Sequence, residues 1–326
     1  MANLTKGYYN EISLLKIFAF FLITWFHMKF VAPDGYKNIF VGGGGNGIFM
    51  FCSGYLFHMK PEKFKGQWIF QKWFRMLSSV WFFLIFAVIL TYPVINFKWF
   101  NFFYPSGFWF VDALLLYFVV SYIARKIIKN EKEEIRNLFI LGSVLLSYFY
   151  IKENQINKAV IMDYGGWVSW CMYFLVFLSG RWCKLENIKT KSFFPLFWFV
   201  PFALYFGYKF FALDSQNLLL LQVVVIPLLM EMTVVLLFGF CTLIIDMPFV
   251  KRISVVIVFL SNLTLELYIV QVFLIHYFGN YFPFPFNILI LFVLIVSVAA
   301  IIHICVDIMK NGLTCLSCCF NKRFVE

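Results

Sequence analysis

Charge is scarce in this sequence. Asp, Glu, Lys and Arg make up 13% of its 326 residues, where a soluble chain carries about 25%. An ordinary soluble domain is thereby excluded. No P-loop, GxSxG, HExxH or dinucleotide-binding glycine pattern is present, so none of those chemistries is signalled. No internal repeat and no long polar linker interrupts the chain, which predicts one domain over residues 1–326. The eight cysteines do not make a disulfide framework. Cys52, Cys171, Cys183, Cys241 and Cys305 lie in or beside apolar runs and read as packing residues. "CLSCCF", Cys315 to Cys319, holds one CxxC without a second ligand pair, so no metal site is expected. A small-residue cleavage site after the first apolar run is also missing. That run is too long for a signal peptide, and many more follow it.

What is present is apolar: 63% of the residues. Ten runs reach or approach the roughly 20 residues a membrane helix needs. They centre on 13–32, 47–64, 78–97, 107–125, 136–152, 164–182, 193–213, 217–245, 254–279 and 287–309. The expected fold is therefore all-α, a polytopic membrane protein of about ten transmembrane helices. The eighth run contains Pro227, which predicts a kink or tilt. Lysine and arginine set the orientation. With the N-terminus in the cytoplasm, 21 of the 27 fall on the inside and six outside, alternating loop by loop. Both termini are then cytoplasmic, as is the Asn3-Leu4-Thr5 glycosylation sequon. The net charge of +11 is accounted for by topology, and the bilayer, not nucleic acid, is the expected partner.

The first run, "LLKIFAFFLITWFHMKF", carries Lys16 and His27. Ionisable groups in hydrocarbon are costly. Eleven residues are 20° beyond three helical turns, so the two share a face, about 16 Å apart along the axis. Phe20 and Thr24 lie on the same stripe. Alone, Lys16 reads as a snorkelling anchor and His27 as a satisfied interior histidine. Together they mark a ligand path, with a cation for phosphates at the inner end and an imidazole for acid–base work in the outer half. Glu266 sits in "LSNLTLELYIVQVFLIHYF" at a counted depth close to that of His27, with Asn262 one turn earlier. As a partner it would orient the imidazole; as a structural group it would bond between helices. Glu231 competes for the same role. His303 and Asp307, at i and i+4, read as an interfacial pair near the inner end. His58 and His276 lie near helix ends.

Two further stretches stand out. "GIFMFCSGYLFHM", Gly47 to Met59, is short for a span and follows "VGGGGNG". Such a glycine run is poor helix. It either forms a plain outer loop or dips into a protein-walled cavity, since lipid cannot satisfy its backbone. The first inner loop, "KPEKFKGQWIFQKWFRML", is basic and aromatic. On a helix Lys72 and Arg75 share a face, suited to phosphate or to anionic headgroups.

In order along the chain, these stretches resemble the bacterial acyltransferase-3 family of integral-membrane acyltransferases. The family's first helix carries a basic residue and a histidine eleven positions later; here they are Lys16, where arginine is usual, and His27. "GIFMFCSGYLF" resembles an aspartate-hydrophobics-FFxxSG stretch, with Ser53 and Gly54 in register. Gly47, beside Asn46, stands where the acidic residue is expected. Lys72-Trp73-Phe74-Arg75 replaces an RxxR motif. "FWFVDALLLYF" matches the tryptophan-phenylalanine start of the fourth helix, at Trp109. "LSNLTLELYIVQ" matches a serine…glutamate-x-tyrosine pattern, with Gln271 where histidine is frequent.

The resemblance implies O-acylation, usually O-acetylation, of an extracytoplasmic glycan or lipid-linked sugar at the bacterial inner membrane. Acetyl-CoA from the cytoplasm is the co-substrate, and no cofactor is permanently bound. Lys16, Lys72 and Arg75 would meet the CoA phosphates. The pantetheine arm would follow the helix 1 stripe, with Asn46, Ser53, Trp109 and Glu231 lining the substrate cavity. His27 would act as general base or accept the acyl group transiently, oriented by Glu266. The soluble esterase-like domain of some relatives is not expected here, because the chain stops soon after the tenth run. The competing reading is a transporter or polysaccharide flippase. It predicts repeats or paired broken helices, and no clear pair stands out in the sequence.

Overall fold

The computed structural model describes residues 10–40, 44–57, 67–91, 109–154, 166–187, 200, 203–204 and 216–323. Among these residues every regular element is helical. The helices are α1 (Glu11–Met28), a 3₁₀ turn at Asp34–Ile39, α2 (Gly45–Leu56), α3 (Gln67–Thr91), α4 (Trp109–Ile127), α5 (Glu131–Asn154) and α6 (Trp167–Leu185). They continue with α7 (Gln216–Ile244), α8 (Pro248–Arg252), α9 (Ser254–Asn262), α10 (Thr264–Phe278) and α11 (Phe286–Arg323). Of these, α1, α3, α5, α7 and α11 are long and apolar enough to cross a membrane. The α9–α10 pair makes a sixth if its two halves form one span. Helix α4 reaches spanning length but carries Asp112, Arg125 and Lys126. The run at 193–213 lies almost wholly outside the described residues, as do the sequon, His58 and the loop from Lys60 to Gly66.

Two elements differ from expectation. The run at 254–279 is two helices, bent by 70° around Leu263. The last helix continues past 309 to Arg323, so the backbone of "CLSCCF" is helical; its side chains lie outside the described ones. Helix α7 carries Pro227 in its interior.

The chain gathers into two compact units. The first holds residues 1–22, 43–64 and 113–261. Its centre is the packing of α2 on α6, set by two glycines. A Cβ on Gly54 would strike the Phe177 carbonyl oxygen, and one on Gly180 would strike that of Phe51. Small residues at these points let the two backbones touch. Helix α2 is only 12 residues long, about 18 Å, yet Ile48, Met50, Phe51 and Cys52 are almost wholly enclosed. Phe238 of α7 closes over it, with ring centroids 5.7 Å from Phe51 and 5.3 Å from Tyr55. So this short segment is walled by protein. The glycine run enters it directly: Gly44 turns the chain at φ 86°, and Gly45 to Gly47 are already helical.

A buried ion cluster joins α5 to α6. Arg181 binds Glu134 through both amino groups, at 2.7 and 3.1 Å, and reaches Glu131 at 3.4 Å. Its guanidinium lies over Phe57 at 5.2 Å.

The second unit holds residues 23–42, 65–112 and 262–326. Here α3, α10 and α11 pack with the C-terminal part of α1. Phe83 meets Phe273 edge-on at 5.5 Å, and Phe110 meets Tyr268 at 4.5 Å. The Asn287 amide donates to the carbonyls of Val31 and Gly279, tying the end of α1 to the end of α10. In the connecting turn Lys37 grips Asp34 at 2.6 Å and holds that carboxyl below its usual range.

Candidate functional site

The polar side chains of the second unit collect on two seams, both against α10. On the first, α10 faces α1. Thr24 donates to Gln271 Oε1 at 2.7 Å. Further along, Phe30 stands between two imidazoles, 5.9 Å from His27 and 4.7 Å from His276. Thr24 meeting Gln271 and Phe30 meeting His276 show that α1 and α10 run parallel. His27 is half-buried, with Phe26 edge-on at 5.6 Å. Its Nδ1 is enclosed and has no hydrogen-bond partner among the described residues. The imidazole thus sits in an aromatic setting, in protein, one turn beyond Thr24.

On the second seam, α10 faces α3 and α11. Glu266, 1% exposed, accepts a hydrogen bond from Ser79 at 2.9 Å and pairs with His303 Nδ1 at 3.2 Å. His303 Nε2 faces Asp307 at 3.7 Å. Both ring nitrogens thus face carboxylates. Ser79 is one helical turn after Arg75, and Ser78 and Ser79 both reach the Arg75 carbonyl. Arg75 itself is exposed and Lys72 half-buried.

The expected pairing of His27 with Glu266 does not appear among the described residues. No hydrogen bond or ion pair joins them. The parallel register explains why. Glu266 lies five residues before Gln271, while His27 lies three residues after Thr24, so the two are offset by about 12 Å along the helices. Equal depth was counted along a straight 254–279 helix. The bend at Leu263 removes part of that rise.

The other expected site residues are placed as follows. Helix α1 is unbroken from Lys16 to His27, so the two share its stripe as the spacing requires. Lys16 is half-buried and within electrostatic reach of Cys52. Asn46 lies in the first turn of α2 and hydrogen-bonds Tyr173. Ser53 is half-buried on the same helix. Glu231, on α7, hydrogen-bonds Ser179. Trp109 opens α4, edge-on to Phe110.

Sequence reasoning missed the joining of Glu266 to His303 and Ser79. The signal was there: a carboxylate and a histidine, each in an apolar run and each in need of a polar partner. It also missed Gln271 as the partner of Thr24.

A search of curated proteins and of solved structures finds no match. A family model described as an acyltransferase domain, that of acyltransferase-3, matches residues 9–306. The match runs from α1 into α11, and the chain belongs to the acyltransferase-3 family of membrane acyltransferases.

Proposed function

We propose that this multi-pass membrane protein is an O-acyltransferase that moves an acyl group, acetyl first among candidates, from cytoplasmic acyl-CoA to a hydroxyl. The acceptor is an extracytoplasmic glycan or lipid-linked sugar, and the membrane is the bacterial inner membrane. Ten spans with both ends inside complete this reading. The carrying observation is the unbroken α1, which sets a cation and an imidazole on one stripe. Lys72 and Arg75 share one face of α3 and would meet the donor's phosphates, and Lys16 offers a cation at the inner end of the α1 stripe. Asn46, Ser53 and Glu231 are the substrate-contacting groups of the first unit in this reading, and Trp109 that of the second.

The chemistry needs a base for the hydroxyl proton and a dry place for the thioester. His27, half-buried among Phe26 and Phe30 with an enclosed Nδ1 that has no hydrogen-bond partner among the described residues, supplies the first and its aromatic neighbours the second. It acts without a carboxylate partner from Glu266. Glu266 belongs instead to the donor end, where Ser79 connects it to the turn bearing Arg75.

The test is thioester consumption. Purified protein with acetyl-CoA and acceptor-bearing membranes should release free CoA and label the glycan. A transporter would move glycan and leave the thioester intact. His27→Ala should lower transfer by about 10²–10⁴, the usual contribution of a general base, with expression and topology unchanged. Transfer near the wild-type rate in a well-expressed variant would remove His27 from the reaction.

A further inference from the structure

Helical Thr and Ser side chains commonly donate to the carbonyl four residues back. Thr233, Thr242, Ser143 and Ser297 all do so in this fold. Thr24 instead donates across the seam to Gln271 Oε1. Both side chains are enclosed, Thr24 at 0% and Gln271 at 1% exposure. The bond pins the amide by its oxygen. Nε2 is left with two N–H donors and no acceptor among the described residues. Leaving a buried donor unmade is unfavourable, so such a group calls for a ligand that accepts.

Its place suggests which ligand. Thr24 and His27 are three residues apart on α1, about 4.5 Å of rise and 60° of turn. The pinned donor therefore lies one turn from the open imidazole, on its inner side, from which acyl-CoA would arrive. A base and a neutral donor this close suit the two ends of one event: a proton leaves the acceptor hydroxyl while negative charge develops on a carbonyl oxygen.

Resting on the acyl-transfer reading of His27, we propose that Gln271 Nε2 donates to the oxyanion formed on the acyl carbonyl, and that Thr24 is the positioning residue that aims it. The acceptor oxygen attacks the thioester carbon, and the carbonyl electron pair moves onto oxygen, where Gln271 meets it. His27 takes the hydroxyl proton. As the carbonyl re-forms, the C–S bond breaks and the thiolate receives that proton from His27. Acyl-CoA and alcohol become ester and free CoA, with atoms and charge balanced. The amide changes no protonation state at any step, so it serves the developing charge alone.

The experiment uses full-length protein in membranes from the producing cells, with acetyl-CoA as the probe and free thiol plus labelled glycan as readouts. Gln271→Leu should lower kcat by about 10²–10³, the loss seen when one such donor is removed. Its KM for acetyl-CoA should stay within about threefold, because the interaction is made only in the transition state. Its melting temperature should change little, since the substitution removes a buried donor that lacked an acceptor and the freed Thr24 hydroxyl can turn to the carbonyl four residues back. Gln271→His, which keeps a ring N–H, should recover at least about tenfold of that loss. Thr24→Val should lower kcat by about tenfold, because it disturbs only the aim. Wild-type kcat in Gln271→Leu would overturn the proposal. So would a loss of activity that tracks a loss of melting temperature and is not recovered by histidine. A protein inactivated by His27→Ala but indifferent to Gln271→Leu removes this proposal alone. A folded wild type that releases no thiol removes it together with the acyl-transfer reading.

Discussion

Glu266 Oε1 accepts a hydrogen bond from Ser79 and faces the His303 imidazole, so a change at this one side chain reaches α3, α10 and α11 together. Glu266→Gln keeps the shape and removes the charge. A hydrogen bond to a charged group contributes about 1.5–3 kcal/mol, and Ser79 sits one turn from Arg75. The expected result is a KM for acetyl-CoA raised roughly tenfold, equivalent to about 1.4 kcal/mol, with kcat changed less. Steady-state kinetics at varied acetyl-CoA decide it. A fall in kcat at constant KM would return Glu266 to the imidazole of His27. The residue itself was legible in the sequence, because an isolated carboxylate in an apolar run is conspicuous. Its partner was not, since His303 lies 37 positions away and only the packing of α10 on α11 brings the two together.

Helix α2 carries the element-scale lesson. Twelve residues cannot cross a bilayer, and the sequence left open whether the glycine run before them is a plain outer loop or enters a protein-walled cavity. Its surroundings resolve the matter: α6 passes so close that Gly54 and Gly180 admit no side chain against the facing carbonyls. Gly54→Ala should therefore destabilise the protein by about 1–3 kcal/mol, as overpacking does. Thermal melting in detergent measures this. An unchanged melting temperature would mean that the two backbones can part at no cost. The broken α9–α10 segment was illegible for a different reason. Leu263, where it bends by 70°, is neither Gly nor Pro, and "SNLT" carries no breaking residue. Hydrophobic periodicity sees a continuous apolar run there.

At the scale of the whole molecule the proposed ten-span arrangement makes a labelling prediction. Lys37, in the turn after α1, should be outside, and Lys129, between α4 and α5, inside. With Lys37→Cys and Lys129→Cys in a background lacking the other exposed thiols, an impermeant maleimide on intact cells should label the first alone. Labelling of Lys129→Cys from outside would break the alternation that orients the chain. By itself the sequence determined the class: too little charge for a soluble fold, apolar runs of helical length, and a lysine and a histidine set eleven apart on one face of α1. These are local properties, written in composition and in the 3.6-residue period. Tertiary structure alone decided the partners. It gave Gln271 to Thr24 and His303 to Glu266, and among the described residues it gave His27 Nδ1 no hydrogen-bond partner. Hydrogen bonds and ion pairs reach only about 3–4 Å. Which groups come that close depends on the register of packed helices and on a bend at Leu263, and neither is a property of any single segment.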